Sequence, residues 1–128
     1  MAGASDLPEM VRAYLDAYNR KDVAGMLSCL TDDMTFEHVS NGAEPVRVEG
    51  KPAFAALARH SAEAFRERHQ AVREVVVGAD SVAIAVDYRA VVAADLPNGL
   101  KAGQRLALQG TSFFTIRDGR IARIVDFS

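Results

Sequence analysis

Apolar residues follow a helical spacing through the first half of the chain and an extended pattern through the second half. In the first half they recur every three or four positions, which predicts amphipathic α-helices. We predict a first helix over 7–20, where Asp6 and Glu9 have capping-box spacing, and a short second helix capped by Asp22. A third helix begins near Pro52, because proline is tolerated in the first helical turn.

The second half carries β-branched and aromatic runs separated by turn residues, a pattern typical of long strands. Asp118 followed by Gly119 predicts a tight hairpin, and Gly110 within a long run predicts a β-bulge. Residues 31–33 are interpreted as the end of the second helix. The predicted strands, two of them among the helices, cover 34–39, 46–50, 69–78, 81–95, 104–116 and 121–128.

The order of these elements predicts the fold class. Helices followed by a run of antiparallel strands indicate an α+β protein with its helices on one face of a sheet. We expect a cone-shaped fold of three N-terminal helices packed on a strongly curved, mixed or antiparallel β-sheet. The length of 128 residues suits a single domain over 1–128. A conical cavity between the two layers would be the default ligand site.

Composition narrows the classes of function. The chain has 15 Lys and Arg against 17 Asp and Glu, a net charge of −2 that argues against a nucleic-acid surface. Its single cysteine, Cys29, excludes an internal disulfide and a cysteine-based zinc cluster. No apolar run is long enough to cross a membrane, and the N-terminus lacks signal-peptide features. We therefore expect a cytoplasmic protein with no nucleic-acid or membrane partner, no metal and no cofactor.

Asp126, near the end of an apolar last strand, is the main candidate for chemistry. Strand alternation places it on the face of Ala122, Ile124 and Ser128, but both faces are apolar, so periodicity leaves open which one lines the cavity. In an apolar cavity, burial would raise the pKa of this carboxyl toward that of a general base working near neutral pH. The alternative is a salt-bridged or solvated aspartate.

Three further polar residues are candidates for the same site. Tyr14 lies on the apolar stripe of the first helix, either as a hydroxyl donor to a substrate oxygen or as a core tyrosine. His38 shares a strand face with Phe36 and is either a proton relay to Asp126 or an ordinary polar residue. Ser112 is a weaker candidate donor.

The stretches 14–38, 46–54 and 113–128 resemble the nuclear-transport-factor-2-like superfamily, and within it the SnoaL-like proteins. The resemblance extends over nearly the whole chain. It implies the cone-shaped fold described above and, as is common in this family, a homodimer formed through the outer face of the sheet. It does not imply one function, because the fold hosts enzymes, binding modules and docking proteins.

The resemblance also implies roles for individual residues. In SnoaL-type polyketide cyclases and limonene-type epoxide hydrolases a last-strand aspartate is the acid/base, and Asp126 falls on it, whereas Ile124 replaces the histidine of the cyclase motif. In the ketosteroid isomerases of this fold the oxyanion-binding tyrosine falls on Tyr14. Their catalytic aspartate is replaced by His38, and their second oxyanion donor is replaced by Ser112.

Asp87 and Arg89 present a conflict between burial and resemblance. They match, in reverse order, an Arg-x-Asp pair that epoxide hydrolases carry in the pocket. The opposite face of the same strand is bulkier, with Val86 and Tyr88, so simple burial would turn Asp87 and Arg89 outward, where an ion pair contributes little.

The leading hypothesis is a SnoaL-like enzyme of isomerase, cyclase or hydrolase type that uses cofactor-independent acid/base chemistry. Asp126 would move the proton, with Tyr14 and His38 assisting. The ligand would be a small, largely apolar or carbonyl-containing molecule in a pocket lined by Phe36, Phe54 and Ile124. The alternative is a non-catalytic small-molecule binding module, or a dimeric interaction module, of the same fold.

Overall fold

The computed structural model describes residues 7–40 and 43–128, which form helices on one face of a single mixed sheet. The strand order is β2-β1-β6-β5-β4-β3, and neighbouring strands are antiparallel except β1 and β6, which run parallel. The predicted α+β fold is thereby confirmed. The elements are α1 (Glu9–Asn19), α2 (Val23–Ser28), β1 (Leu30–Val39), β2 (Val46–Glu49), α3 (Lys51–Ala64), β3 (Phe65–Val77), β4 (Ser81–Val92), β5 (Arg105–Arg117) and β6 (Arg120–Phe127).

Local signals placed the starts of α2 and α3 correctly. The side chain of Asp22 accepts a hydrogen bond from the Gly25 amide at 3.0 Å, which confirms the predicted cap of α2. A proline stands in the first turn of α3, as predicted. At the start of α1, Pro8 occupies the N-cap position and supplies no side-chain hydrogen bond. The predicted cap, Asp6, lies outside the described residues.

The prediction that residues 31–33 end the second helix was wrong, because β1 begins at Leu30. Leu30 pairs with Ile121 of β6, and Leu30 and Met34 are both fully buried. The polar residues between them lie at the surface in a strand anchored by these two apolar side chains. The register of β1 with β6 shifts between Leu30 and Thr35, an irregularity that the local sequence does not predict.

The predicted bulge at Gly110 was also wrong. Gly110 pairs in register with Val86 of β4. Its role is close approach: a Cβ on Gly110 would lie 2.9 Å from the backbone oxygen of Phe127 in β6. The register shift between β5 and β6 lies instead between Thr115 and Ile116.

The register shift between β5 and β6 lies opposite Ala122 and changes which side chains of β6 face the helices. Thr115 pairs with Arg123, whereas Ile116 pairs with Ile121, so Ala122 is the extra residue. Ile121 and Ile124 consequently both enter the core, with exposures of 0% and 1%. Strict alternation had assigned them to opposite faces. The strand is regular again beyond Arg123, where Asp126 lies.

Candidate functional site

A cavity of about 460 Å³ lies between the helices and the sheet face that they cover. Its deep walls are mostly apolar, and its rim includes side chains that are 43–49% exposed, namely Val46, Leu108 and Phe127. Such a volume and lining suit a small, largely apolar ligand.

Asp126 is directed into this cavity and is held by a neighbouring strand. Ser112 on β5 pairs with Asp126 on β6, and the Ser112 hydroxyl donates a 2.7 Å hydrogen bond to Asp126 Oδ1. Burial raises the pKa of the Asp126 carboxyl, whereas the Ser112 hydrogen bond and the nearby charge of His38 lower it. Ser112 is only 5% exposed and Asp126 is half-buried, so this hydrogen bond is partly shielded from water.

His38 flanks Asp126 on the other side. The parallel pairing of β1 and β6 sets His38 opposite Asp126, and both residues line the cavity. His38 Nε2 lies 3.0 Å from the hydroxyl of Ser128, at hydrogen-bond distance. A carboxyl, a hydroxyl and an imidazole from three adjacent strands therefore meet at one wall.

Tyr14 brings a phenol from α1 to the same cavity. Its ring is 5% exposed and packs edge-to-face on Phe114, with ring centroids 5.9 Å apart. Burial, with the nearby Asp126 charge, raises the pKa of Tyr14 well above its usual value, so the hydroxyl stays protonated. Within residues 7–40 and 43–128 no group forms a hydrogen bond with this hydroxyl, and it is therefore available to a ligand.

The predicted apolar wall is only partly as expected. Phe36 and Phe54 line the cavity, and their ring centroids lie 5.4 Å apart. Ile124 does not line it. The side chain of Ile124 is 1% exposed and is buried in the core beside its strand partner Phe114, although it shares the strand face of Asp126.

Asp87 and Arg89 lie outside the cavity, which corrects the placement implied by the resemblance. Val86 and Tyr88 occupy the inner face of β4, as simple burial predicted. The Asp87 carboxylate instead forms a 3.0 Å ion pair with Arg73 at the outer face, where both side chains are about 40% exposed. Such a surface pair contributes little to stability.

Sequence reasoning missed a charged residue of the cavity, Arg68 on β3. It is 4% exposed and lines the cavity. Its Nε donates to the backbone oxygen of Tyr18 at 3.1 Å, and its guanidinium carbon lies 3.8 Å from the centre of the Tyr18 ring. Arg68 stands among exposed charges in the sequence. The only signal was its alternation with Gln70 and Val72, which share the inner face.

In residues 7–40 and 43–128, no three His, Cys, Asp or Glu side chains are grouped so as to hold a metal ion. None of the described helices is long and apolar enough to cross a membrane.

Helices on one face of a mixed sheet, with a cavity between the layers, define a cone fold of the nuclear-transport-factor-2-like class. The chain belongs to the SnoaL-like domain family, because the model of that family matches residues 11–124. Comparison with curated protein sequences gives no match.

Solved structures support the assignment of the fold. A candidate polyketide cyclase from Xanthomonas campestris pv. campestris is 29% identical, with 93% of this chain and 87% of that chain covered and a TM-score of 0.73. A protein of ketosteroid isomerase-like fold from Catenulispora acidiphila DSM 44928, in complex with trimethylamine, is 16% identical over 94% and 85%, with a TM-score of 0.78. TerC, co-crystallised with polyporic acid, is 20% identical over 92% and 87%, with a TM-score of 0.73. The last two similarities concern the fold alone.

Proposed function

We propose that this protein is a cofactor-independent acid/base enzyme, of isomerase, cyclase or hydrolase type, for a small and largely apolar carbonyl-containing ligand. The observation that carries the proposal is the Asp126 carboxyl, hydrogen-bonded to a buried serine inside a largely apolar cavity. Desolvation raises the pKa of this carboxyl toward the range in which a base is effective near neutral pH. The candidate polyketide cyclase at 29% identity is consistent with such chemistry.

The geometry suggests how the reaction would proceed. Asp126 would remove a proton from the carbon next to a ligand carbonyl, or from a water molecule. The free hydroxyl of Tyr14 would donate to the oxygen on which negative charge develops, a contribution that lowers a barrier by about 3 kcal/mol in comparable sites. His38, beside Asp126, would pass the proton to the ligand or to solvent.

The test is Asp126→Asn, measured against a panel of apolar ketones and epoxides. Exchange of ketone α-hydrogens for deuterium reports proton removal, and diol formation reports epoxide hydrolysis. General-base removal commonly lowers a rate by about 10²–10⁴-fold, and we expect a loss in this range. Asp118→Asn is the matched control, because Asp118 is an exposed turn residue with φ of 54°, a conformation that asparagine also tolerates. Equal turnover by the wild type and Asp126→Asn would exclude the proposal.

Non-catalytic binding in the same cavity is the second candidate. It is favoured by the cavity itself and by two proteins of the same fold that hold trimethylamine or polyporic acid. If the wild type binds apolar ketones but exchanges none of their hydrogens, binding replaces catalysis as the function.

We also propose a homodimer formed through the outer face of the sheet. That face carries Ala83, Ala85 and Phe113 on β4 and β5, beside the exposed ion pair of Asp87 with Arg73. Size-exclusion chromatography with light scattering should give twice the chain mass, and Ala85→Arg should shift the mass toward the monomer. A monomeric wild type at all concentrations would exclude the dimer. Cytoplasmic localisation stays a prediction.

A further inference from the structure

Arg68 is a buried cation whose described partners are all uncharged. Its Nη1 donates to the Ser61 hydroxyl at 3.2 Å, Nε donates to the Tyr18 carbonyl at 3.1 Å, and Nη2 lies 3.9 Å from the Met26 sulfur. No carboxylate within residues 7–40 and 43–128 lies within 4.0 Å of this guanidinium, although eight such ion pairs occur elsewhere in the same residues. The charge is therefore not neutralised by the described protein.

A charge in this position is unfavourable unless something compensates it. Arginine remains protonated in proteins, so burial does not remove the charge. The Tyr18 ring lies 3.8 Å from the guanidinium carbon and forms a cation–π contact, which offsets part of the free energy lost when the charge is removed from water. Three of the five N–H donors have partners, and one of those partners is a weakly accepting sulfur. Donors therefore remain for an acceptor that enters the cavity.

Arg68 and Asp126 give the cavity two electrically different walls. Both residues line it, and no ion pair within 4.0 Å joins them. Tyr14 is affected by both charges: burial is the main cause of its raised pKa, the Asp126 charge raises that pKa further, and the Arg68 charge lowers it. A ligand whose acidic group met Arg68 would keep its own negative charge away from Asp126. Its apolar body would then lie between the two walls, beside Tyr14.

We propose that Arg68 is the anion-binding residue of the cavity and that the natural ligand carries a carboxylate, or an equally acidic enol or phenol oxygen, on an otherwise apolar body. The guanidinium fork matches two acceptor oxygens, and charge-assisted hydrogen bonds of this kind are strong in a dry site. The inference rests on the proposed use of this cavity as a small-molecule site. It does not depend on proton transfer by Asp126.

The experiment compares two probes of similar shape, of which one is negatively charged and the other is neutral. They are 2-naphthoate, an apolar carboxylate, and 2-naphthalenemethanol, its neutral analogue, with binding measured by isothermal titration calorimetry. For the wild type we expect the carboxylate to bind roughly 10- to 100-fold more tightly than the alcohol. Arg68→Met should abolish this preference while changing the affinity for the alcohol by less than about threefold. Arg68→Lys should keep part of the preference, because the charge remains but the fork is lost.

Arg66→Met is the matched control, because Arg66 is an exposed arginine on the same strand and does not line the cavity. It should leave both affinities unchanged, and binding of the alcohol to each variant shows that the cavity is folded. The inference is overturned if the wild type binds both probes equally or neither, if Arg68→Met weakens both alike, or if Arg66→Met has the same effect as Arg68→Met.

Asp126→Asn separates this inference from the proposed enzymatic activity. We expect it to bind 2-naphthoate at least as tightly as the wild type, because a neighbouring negative charge has been removed. Normal anion selectivity together with no proton exchange by the wild type would refute catalysis and leave the role of Arg68 standing. Proton exchange without anion selectivity would refute the role of Arg68 alone.

Discussion

Replacing Ser112 by alanine should weaken the protein more at neutral pH than at acidic pH. The hydroxyl is 5% exposed and donates at 2.7 Å to Asp126, a length typical of a hydrogen bond to an ionised carboxylate. Such a bond stabilises a fold by about 1.5–3 kcal/mol, whereas a bond between neutral groups contributes about 0.5–1.5 kcal/mol. The free energy of unfolding should therefore fall by about 1.5–3 kcal/mol when the carboxyl is ionised, and by roughly half as much when it is protonated.

The sign of the pH dependence follows from the direction of the pKa shifts. Burial raises the folded-state pKa of Asp126, so the folded protein binds more protons than the unfolded chain between the ordinary and the raised value. Stability contributed by this residue is therefore highest at low pH and is lost as pH rises through the raised pKa. Ser112 limits that loss because its hydrogen bond lowers the pKa. Without Ser112 the pKa rises further and the loss is larger.

The assay is urea unfolding of the wild type and Ser112→Ala across a series of pH values, together with a carbon-13 NMR titration of the Asp126 carboxyl. Ser28→Ala is the control, because it removes an exposed serine hydroxyl from α2, away from the cavity. A destabilisation that is the same at every pH, or an Asp126 pKa that stays constant or falls, would show that Ser112 does not stabilise the ionised carboxylate.

Three further predictions concern residues around the site. Gly110→Ala would place a Cβ 2.9 Å from a backbone oxygen of β6 and should lower the free energy of urea unfolding by about 1–3 kcal/mol. Gly78→Ala should have a smaller effect, because its close contact is a movable serine hydroxyl and the nearest backbone oxygen lies at 3.5 Å; equal effects would refute the close approach. Near neutral pH, the Asp126→Asn variant should have a higher unfolding temperature than the wild type, and at acidic pH the two unfolding temperatures should be equal. A lower unfolding temperature of the variant at neutral pH would mean that the carboxylate is not desolvated. Asp87→Asn breaks the exposed ion pair with Arg73; it should lower the free energy of urea unfolding by less than about 1 kcal/mol and leave the affinity for 2-naphthoate unchanged. A loss of 2-naphthoate binding would show that Asp87 belongs to the site.

Features set by neighbouring residues were predictable from the sequence. The Asp22 cap depends on an amide three residues away, and the helical spacing of the first half gave the three helices. The hairpin at Asp118 and Gly119 is confirmed: the two residues have φ of 54° and 78° and separate the paired residues Arg117 and Arg120. In each of these features the deciding interaction joins residues only a few positions apart in the sequence.

Features set by distant partners were not predictable. The start of β1 depends on pairing with Ile121, some ninety residues later in the chain. The bulge at Ala122 depends on the register with β5, and it brings Ile121 to the same buried face as Ile124. Arg68 stands in a strand of exposed charges, and only the tertiary fold covers it with α1 and α3. The position of Asp87 was nevertheless predicted correctly from burial and incorrectly from the resemblance, because the bulkier face of β4 does face inward.

The strand that carries Asp126 is an interior strand of the sheet, hydrogen-bonded to β1 on one edge and to β5 on the other. A carboxyl mounted there cannot swing in and out as one on a surface loop can, because freeing its backbone requires both neighbouring strands to separate. Hydrogen exchange at this amide should therefore be among the slowest in the protein, and should track global unfolding. Changes in ligand preference would therefore come from residues of the cavity rim and of the helices, while the position of the Asp126 carboxyl stays constant.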